Sequence, residues 1–209
     1  MVEAETVQQI VSVNEIVEEL RRDTRLYLPA LTKTLGFSSA RTEYLLNRLV
    51  ARMPKGQCYV EIGVLAGRTL KAASKGNEDK FIYAIDPCIK YEVIPEVSDY
   101  VCFIQKPWEE LDNQDIGEPV GVVFYDADHS EYSTRDFMVN FSRFLADGAI
   151  LVLDDWDRNS VRAGAFAAKE KDPRWQLLRE MPEYTDGLTT APHHFGYYFG
   201  CSVWRYGGA

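Results

Sequence analysis

The chain has 209 residues, 46% of them hydrophobic and 26% charged, with a net charge of −9. That length suits one domain with a full core, and the acidic balance argues against a general nucleic-acid or anionic-membrane surface. No apolar run approaches the ~18 residues needed to span a bilayer, so neither nucleic acid nor membrane is expected as a partner.

The chain does not open with a basic stretch followed by an apolar one, and Cys58, Cys88, Cys102 and Cys201 form no CxxC pair. A reducing, cytoplasmic setting is the expectation. His129, His193 and His194 share no ligand spacing with any cysteine, which argues against a zinc site.

Residues 5–22 place Val7, Ile10, Val11, Val13, Ile16, Val17 and Leu20 at the i, i+3, i+4 recurrence of an amphipathic helix. A second helix is predicted over residues 39–53, with Leu45, Leu46, Leu49, Val50 and Met53 on one stripe. Ser38 or Ser39 would cap it and Pro54-Lys55-Gly56 would end it. Residues 1–54 form a helical N-terminal extension in this reading: a lid, a homodimer contact or plain packing.

Residues 55–209 change to an α/β rhythm. Strands are predicted at 58–62, 81–85, 101–104, 120–125, 149–153, 175–181 and 197–206. Helices are predicted at 68–75, around 95–100, at 131–145 (closed by Asp147-Gly148) and at 158–171 (stopped by Pro173), with a helical turn opened by Pro107. Strands alternating with helices imply a mostly parallel sheet covered on both faces. The last two strands have only the loop 182–195 between them and must pair antiparallel.

Two features carry chemistry. Glu61-Ile62-Gly63-Val64-Leu65-Ala66-Gly67 is a strand–glycine–helix corner, and Asp86 closes the next strand about 20 residues on. Glycines there let a ligand approach the backbone, and a carboxylate at the Asp86 position can take both hydroxyls of a ribose; alternatively, Gly63 and Gly67 only shape a tight turn. The spacing is not GxGxxG, and Glu61 would repel a pyrophosphate but suit the ammonium of an amino-acid moiety. That favours S-adenosylmethionine over a nicotinamide dinucleotide. The second feature is an acidic edge: the strand ending at Tyr125 runs into Asp126, Asp128 and His129, and the strand ending at Leu153 runs into Asp154-Asp155. Carboxylates converging at strand ends are costly unless a cation or proton lies between them. They would alternatively cap the following helices.

The motifs running from Val60 to Leu70, from Tyr83 to Asp86 and from Phe124 to Ser130 together resemble the class I S-adenosylmethionine-dependent methyltransferases. Within that class they look most like the small metal-dependent O-methyltransferases of the catechol and caffeoyl-CoA type and the macrocin-type sugar O-methyltransferases. The resemblance implies a Rossmann-like, seven-stranded, mostly parallel sheet with an antiparallel last strand. It implies an O-methyltransferase acting on a small hydroxylated molecule; metal-independent methyl transfer and a non-catalytic interaction role are the alternatives. By the same resemblance Glu61, Gly63 and Gly67 hold the methionine part of the cofactor, Asp86 the ribose, and Trp108 the adenine, with Asp126 also at the cofactor. Asp126, Asp154 and Asp155 stand where such enzymes bind Mg²⁺, and Asp128 or His129 where they place a base. The catechol type has a lysine where His129 stands, so the chain departs from that pattern. Arg158 and Arg162 would meet an anionic substrate or, more plainly, form a solvated helix face. His193 or His194 would gate substrate or sit on an exposed hairpin loop.

Overall fold

The computed structural model describes residues 13–19, 38–88, 100–181 and 200–207. The helix predicted at 95–100, Tyr100 aside, and the loop at 182–195 with His193 and His194 lie outside the described residues, as does most of the first predicted helix.

Seven strands form one sheet in the order β3-β2-β1-β4-β5-β7-β6. They are β1 (Cys58–Ile62), β2 (Phe81–Ile85), β3 (Val101–Ile104), β4 (Val120–Tyr125), β5 (Leu145–Asp154), β6 (Trp175–Met181) and β7 (Cys201–Tyr206). β7 lies between β5 and β6 and runs antiparallel to both, while the remaining neighbours pair parallel. The sheet grows outward in both directions from the β1/β4 pair, so a crevice opens beyond the carboxyl ends of those strands.

Alternation along the strands sends side chains into two apolar layers. On one face Tyr59, Ile82, Phe124 and Val152 meet three helices: α1 (residues 13–19), α2 (Ala40–Arg52) and α3 (Arg68–Ser74). On the other, Val60, Val123, Leu151 and Trp204 meet α4 (Glu131–Asn140) and α5 (Asn159–Lys171). The strands therefore read as near-continuous apolar runs, as expected of a sheet buried on both sides.

Three local devices position the crevice. Helix α2 starts where predicted, the Ser39 hydroxyl accepting from the Thr42 amide at 3.1 Å. It is tied to α3 at both ends: Arg68 Nε meets Glu43 at 2.5 Å, and the Asn47 amide donates to the carbonyls of Ala72 and Lys75. Helices α4 and α5 approach so closely that a Cβ at Gly164 would fall 2.5 Å from the Glu131 carbonyl.

One predicted boundary moves. Helix α4 stops at Asn140, residues Phe141–Phe144 form a 3₁₀ turn, and β5 already begins at Leu145. Asp147-Gly148 lies inside β5, with Gly148 at φ +80°, instead of closing the helix. A 3₁₀ turn stacks i over i+3, which buries Phe141 and Phe144 together without a further helical turn.

Candidate functional site

A cavity of about 780 Å³ opens at the carboxyl ends of β1, β2, β4 and β5. That is in the range of small-molecule sites, roughly 300–1,000 Å³. Gly63, Asp86, Trp108, Asp126, Asp128, His129, Asp154 and Asp155 all line it, so most of the sequence-predicted residues meet in one place. Glu61 and Gly67 are not on its wall. Ser38, Ser39 and Thr42 from the start of α2, with Gly200 before β7, are on the wall and were not anticipated. The only sequence signal for the α2 residues was their capping pattern.

The glycine corner is shaped first by the chain's own packing. Gly63 sits at φ +88°, and a Cβ there would lie 1.9 Å from the Asp126 carbonyl oxygen. Its lack of a side chain serves the β1/β4 contact as much as any ligand. Gly67 takes the left-handed conformation, φ +75°, that starts α3. Asp86 binds the corner from below: one carboxylate oxygen accepts from the amides of Val64 (2.9 Å) and Leu65 (3.1 Å), and the other from the amide of Cys88 (2.7 Å). The carboxylate thus fixes the loop's path while still facing the cavity.

Glu61 points away from the crevice. It is fully buried, accepting from the hydroxyls of Tyr59 and Thr69 at 2.7 Å each. Burial pushes its carboxyl up to about 8, against the pull of those two hydroxyls. It braces β1 against α3 beneath the glycine corner.

Trp108 packs in the rim of the cavity, its ring edge-on to Phe137 at 5.2 Å, and Phe137 stacks on Tyr125 at 4.2 Å. Arg162 lies over the Trp156 ring at 5.6 Å, beside Asp157, and is not on the cavity wall.

At the acidic edge, parallel pairing of β4 with β5 sets Tyr125 opposite Leu153, so the next residues, Asp126 and Asp154, come side by side. Their carboxyls are hydrogen-bonded to each other. Desolvation pushes Asp126 up to about 6, His129 opposing that rise and Asp155 adding to it. Burial, with Asp126 and Asp155 alongside, drives Asp154 well above the usual carboxylate range. Asp155 departs from the pair. Its backbone is left-handed, φ +54°, and one of its carboxylate oxygens meets both His129 Nε2 (3.0 Å) and Arg158 Nε (2.8 Å). His129 Nε2 is 3.9 Å from Asp126.

Asp128 is occupied locally. It accepts from the Ser130 amide at 2.9 Å and from the Ser130 hydroxyl at 3.3 Å, while Ser130 caps α4. The segment is fastened further by Ser160, whose hydroxyl donates to the His129 carbonyl at 2.7 Å.

Among the described residues, no three His, Cys, Asp or Glu side chains are grouped so as to hold a metal ion. Asp126, Asp154 and Asp155 do share an edge, as the resemblance implied. However, two of them are spent on each other and the third on two nitrogen donors, so as arranged they do not fit a divalent cation. S-adenosylmethionine fits better: the cavity has the room, Asp86 supplies an acceptor for hydroxyls, and Trp108 supplies an apolar wall.

Residues 60–156 match the family model described as a methyltransferase domain. Among curated proteins, none matches the sequence. A SAM-dependent O-methyltransferase from Thermotoga maritima superimposes with TM-score 0.60 at 10% identity, over 86% of this chain and 69% of that one. A protein from Corynebacterium glutamicum gives 0.56 at 16% identity, over 95% and 91%. The cofactor-bound Rv0187 from MTB gives 0.58 at 14% identity, over 98% and 89%. At such identities the superpositions speak for the fold, and the family match speaks for the segment from β1 past the end of β5, which carries the glycine corner and the acidic edge. Sequence match and fold agree: residues 60–156 match a methyltransferase domain, and the sheet that carries them has the fold of a SAM-dependent O-methyltransferase.

Proposed function

We propose that the chain is an O-methyltransferase acting on a hydroxyl group of a small molecule, with His129 as the base. The contact between His129 and Asp155 at the cavity wall carries this reading. A carboxylate only accepts hydrogen bonds, so in the neutral imidazole Nε2 carries the proton and Nδ1 keeps its lone pair. Asp155 then plays the orienting part for a base, as the carboxylate does in His-carboxylate pairs generally. Asp128, the other candidate, also lines the cavity, its two oxygens drawn to the Ser130 amide and hydroxyl at the start of α4.

S-adenosylmethionine, when bound, supplies a methyl group on a sulfonium. Asp86 and the Val64–Leu65 corner would hold it at the mouth of β1 and β2, and Trp108 would flank it. In such a transfer to an acceptor hydroxyl, His129 Nδ1 would take the hydroxyl proton. The neighbouring Asp155 carboxylate stabilises the imidazolium that results.

Calorimetric titration of the purified protein with S-adenosylhomocysteine tests the cofactor half; absence of binding refutes it. Methylation of a panel of phenols, sugars and hydroxy acids tests the rest. A protein that binds the cofactor yet methylates nothing in that panel would instead be a non-catalytic member of the fold.

A further inference from the structure

We propose that Arg158 fills the cation position of the acidic edge, so that this chain neither needs nor admits a divalent metal there. The inference rests on the proposed methyltransferase reading and deepens it.

The observations are geometric. Arg158 Nε and His129 Nε2 converge on the same oxygen of Asp155, at 2.8 and 3.0 Å. Asp155 is almost buried, its side chain 9% exposed, so its negative charge requires a compensating partner. Arg158 sits three residues on, just before α5, and the left-handed backbone of Asp155 turns the carboxylate toward it. Asp126 and Asp154 meanwhile satisfy each other. A dication bound by Asp155 would have to displace two nitrogen donors and would lie beside a guanidinium, which keeps its charge at any accessible pH. Attraction that a metal would offer the carboxylate is already supplied by a group the chain carries itself.

The arrangement also bears on the acceptor. A metal-assisted site favours two neighbouring oxygens that chelate the ion. With an arginine in that place and a histidine as base, a single hydroxyl suffices. Arg158 is a positioning residue in this scheme: it holds Asp155, and Asp155 holds His129.

The test needs no acceptor. Mn²⁺ is titrated into the full chain, with and without S-adenosylhomocysteine, and free Mn²⁺ is followed by electron paramagnetic resonance. The wild type should leave Mn²⁺ free up to millimolar concentration. Arg158→Met, which removes the charge and keeps an apolar stem, should bind one Mn²⁺ at least ten-fold more tightly, and Asp154→Asn in that background should abolish the gain. Arg158→Gln serves as a second probe where Arg158→Met folds poorly, as judged by its thermal transition. Stoichiometric Mn²⁺ uptake by the wild type overturns the proposal. So does indistinguishable Mn²⁺ affinity in the wild type and the folded variants. Either result is separable from failure of the methyltransferase reading, which would show as lost S-adenosylhomocysteine binding in the wild type.

Discussion

Replacing Glu61 by glutamine probes the foundation of the glycine corner. The Glu61 carboxyl is fully buried between Tyr59 and Thr69 and is pushed up to about 8 from 4.5. Between those two values the folded chain keeps the proton while the unfolded chain releases it. The unfolded state therefore binds fewer protons, and stability falls as pH rises, by ~1.4 kcal/mol per unit. From pH 5 to pH 8 the loss from this one group comes to roughly 3 kcal/mol, fully developed only above the folded value. For a chain of this size that is a fall of about 6–12 °C in Tm. Glutamine stays neutral throughout and offers one acceptor and one donor group, to which the two hydroxyls adjust by rotating. Glu61→Gln should therefore match the wild type near pH 5 and melt above it at pH 8. Asp126 and Asp154 also rise on burial, and Asp126 adds a smaller upward push to Glu61, so the difference between the two pH profiles reads Glu61 together with that coupling. Parallel profiles would refute the reasoning. Because Glu61 is off the cavity wall, the variant should keep its S-adenosylhomocysteine affinity within about ten-fold, or ~1.4 kcal/mol. A much larger loss would mean that the carboxylate itself grips the ligand.

Three further outcomes follow from the same geometry. Gly63→Ala would drive a Cβ into the Asp126 carbonyl at a positive φ; denaturant unfolding should show a loss of roughly 2–3 kcal/mol. Asp86→Ala removes the acceptor of three backbone amides, at Val64, Leu65 and Cys88, and calorimetry should show S-adenosylhomocysteine binding weakened at least ~10-fold. His129→Gln should lower turnover by about 10²–10⁴-fold in steady-state assays while leaving cofactor affinity nearly intact; unchanged turnover would remove His129 from the role of base.

The sheet was legible because each strand is a short apolar run closed by a turn signal, and because a missing crossover helix dictates antiparallel pairing. The end of α4 was not. Phe137, Phe141 and Phe144 satisfy helical spacing, and nothing in that spacing distinguishes a last α turn from the 3₁₀ turn that forms. The burial of Glu61 off the cavity wall has a reason the sequence did contain. Strand parity puts it on the same face as Tyr59, toward α3, and not toward the crevice beyond the strand end. Its proximity in sequence to Gly63 suggested a ligand contact; in the fold its carboxyl meets Tyr59 and Thr69, off the cavity wall.

The acidic edge shows where strand-level reasoning reaches its limit. That Asp126 and Asp154 would be neighbours follows from β4 and β5 being adjacent and parallel, with Tyr125 opposite Leu153. That they would share a hydrogen bond follows from burying two carboxyls together. The fate of Asp155 follows from neither. One residue past the strand, it takes a left-handed φ that non-glycine residues rarely adopt, and that single dihedral carries its carboxylate out of the pair and onto His129 and Arg158. The Asp-x-x-Arg spacing was visible, but on a helix entrance it equally describes a solvated pair. Only the position of His129, on the neighbouring strand's end and anchored through Ser160, turns that pair into a three-membered device.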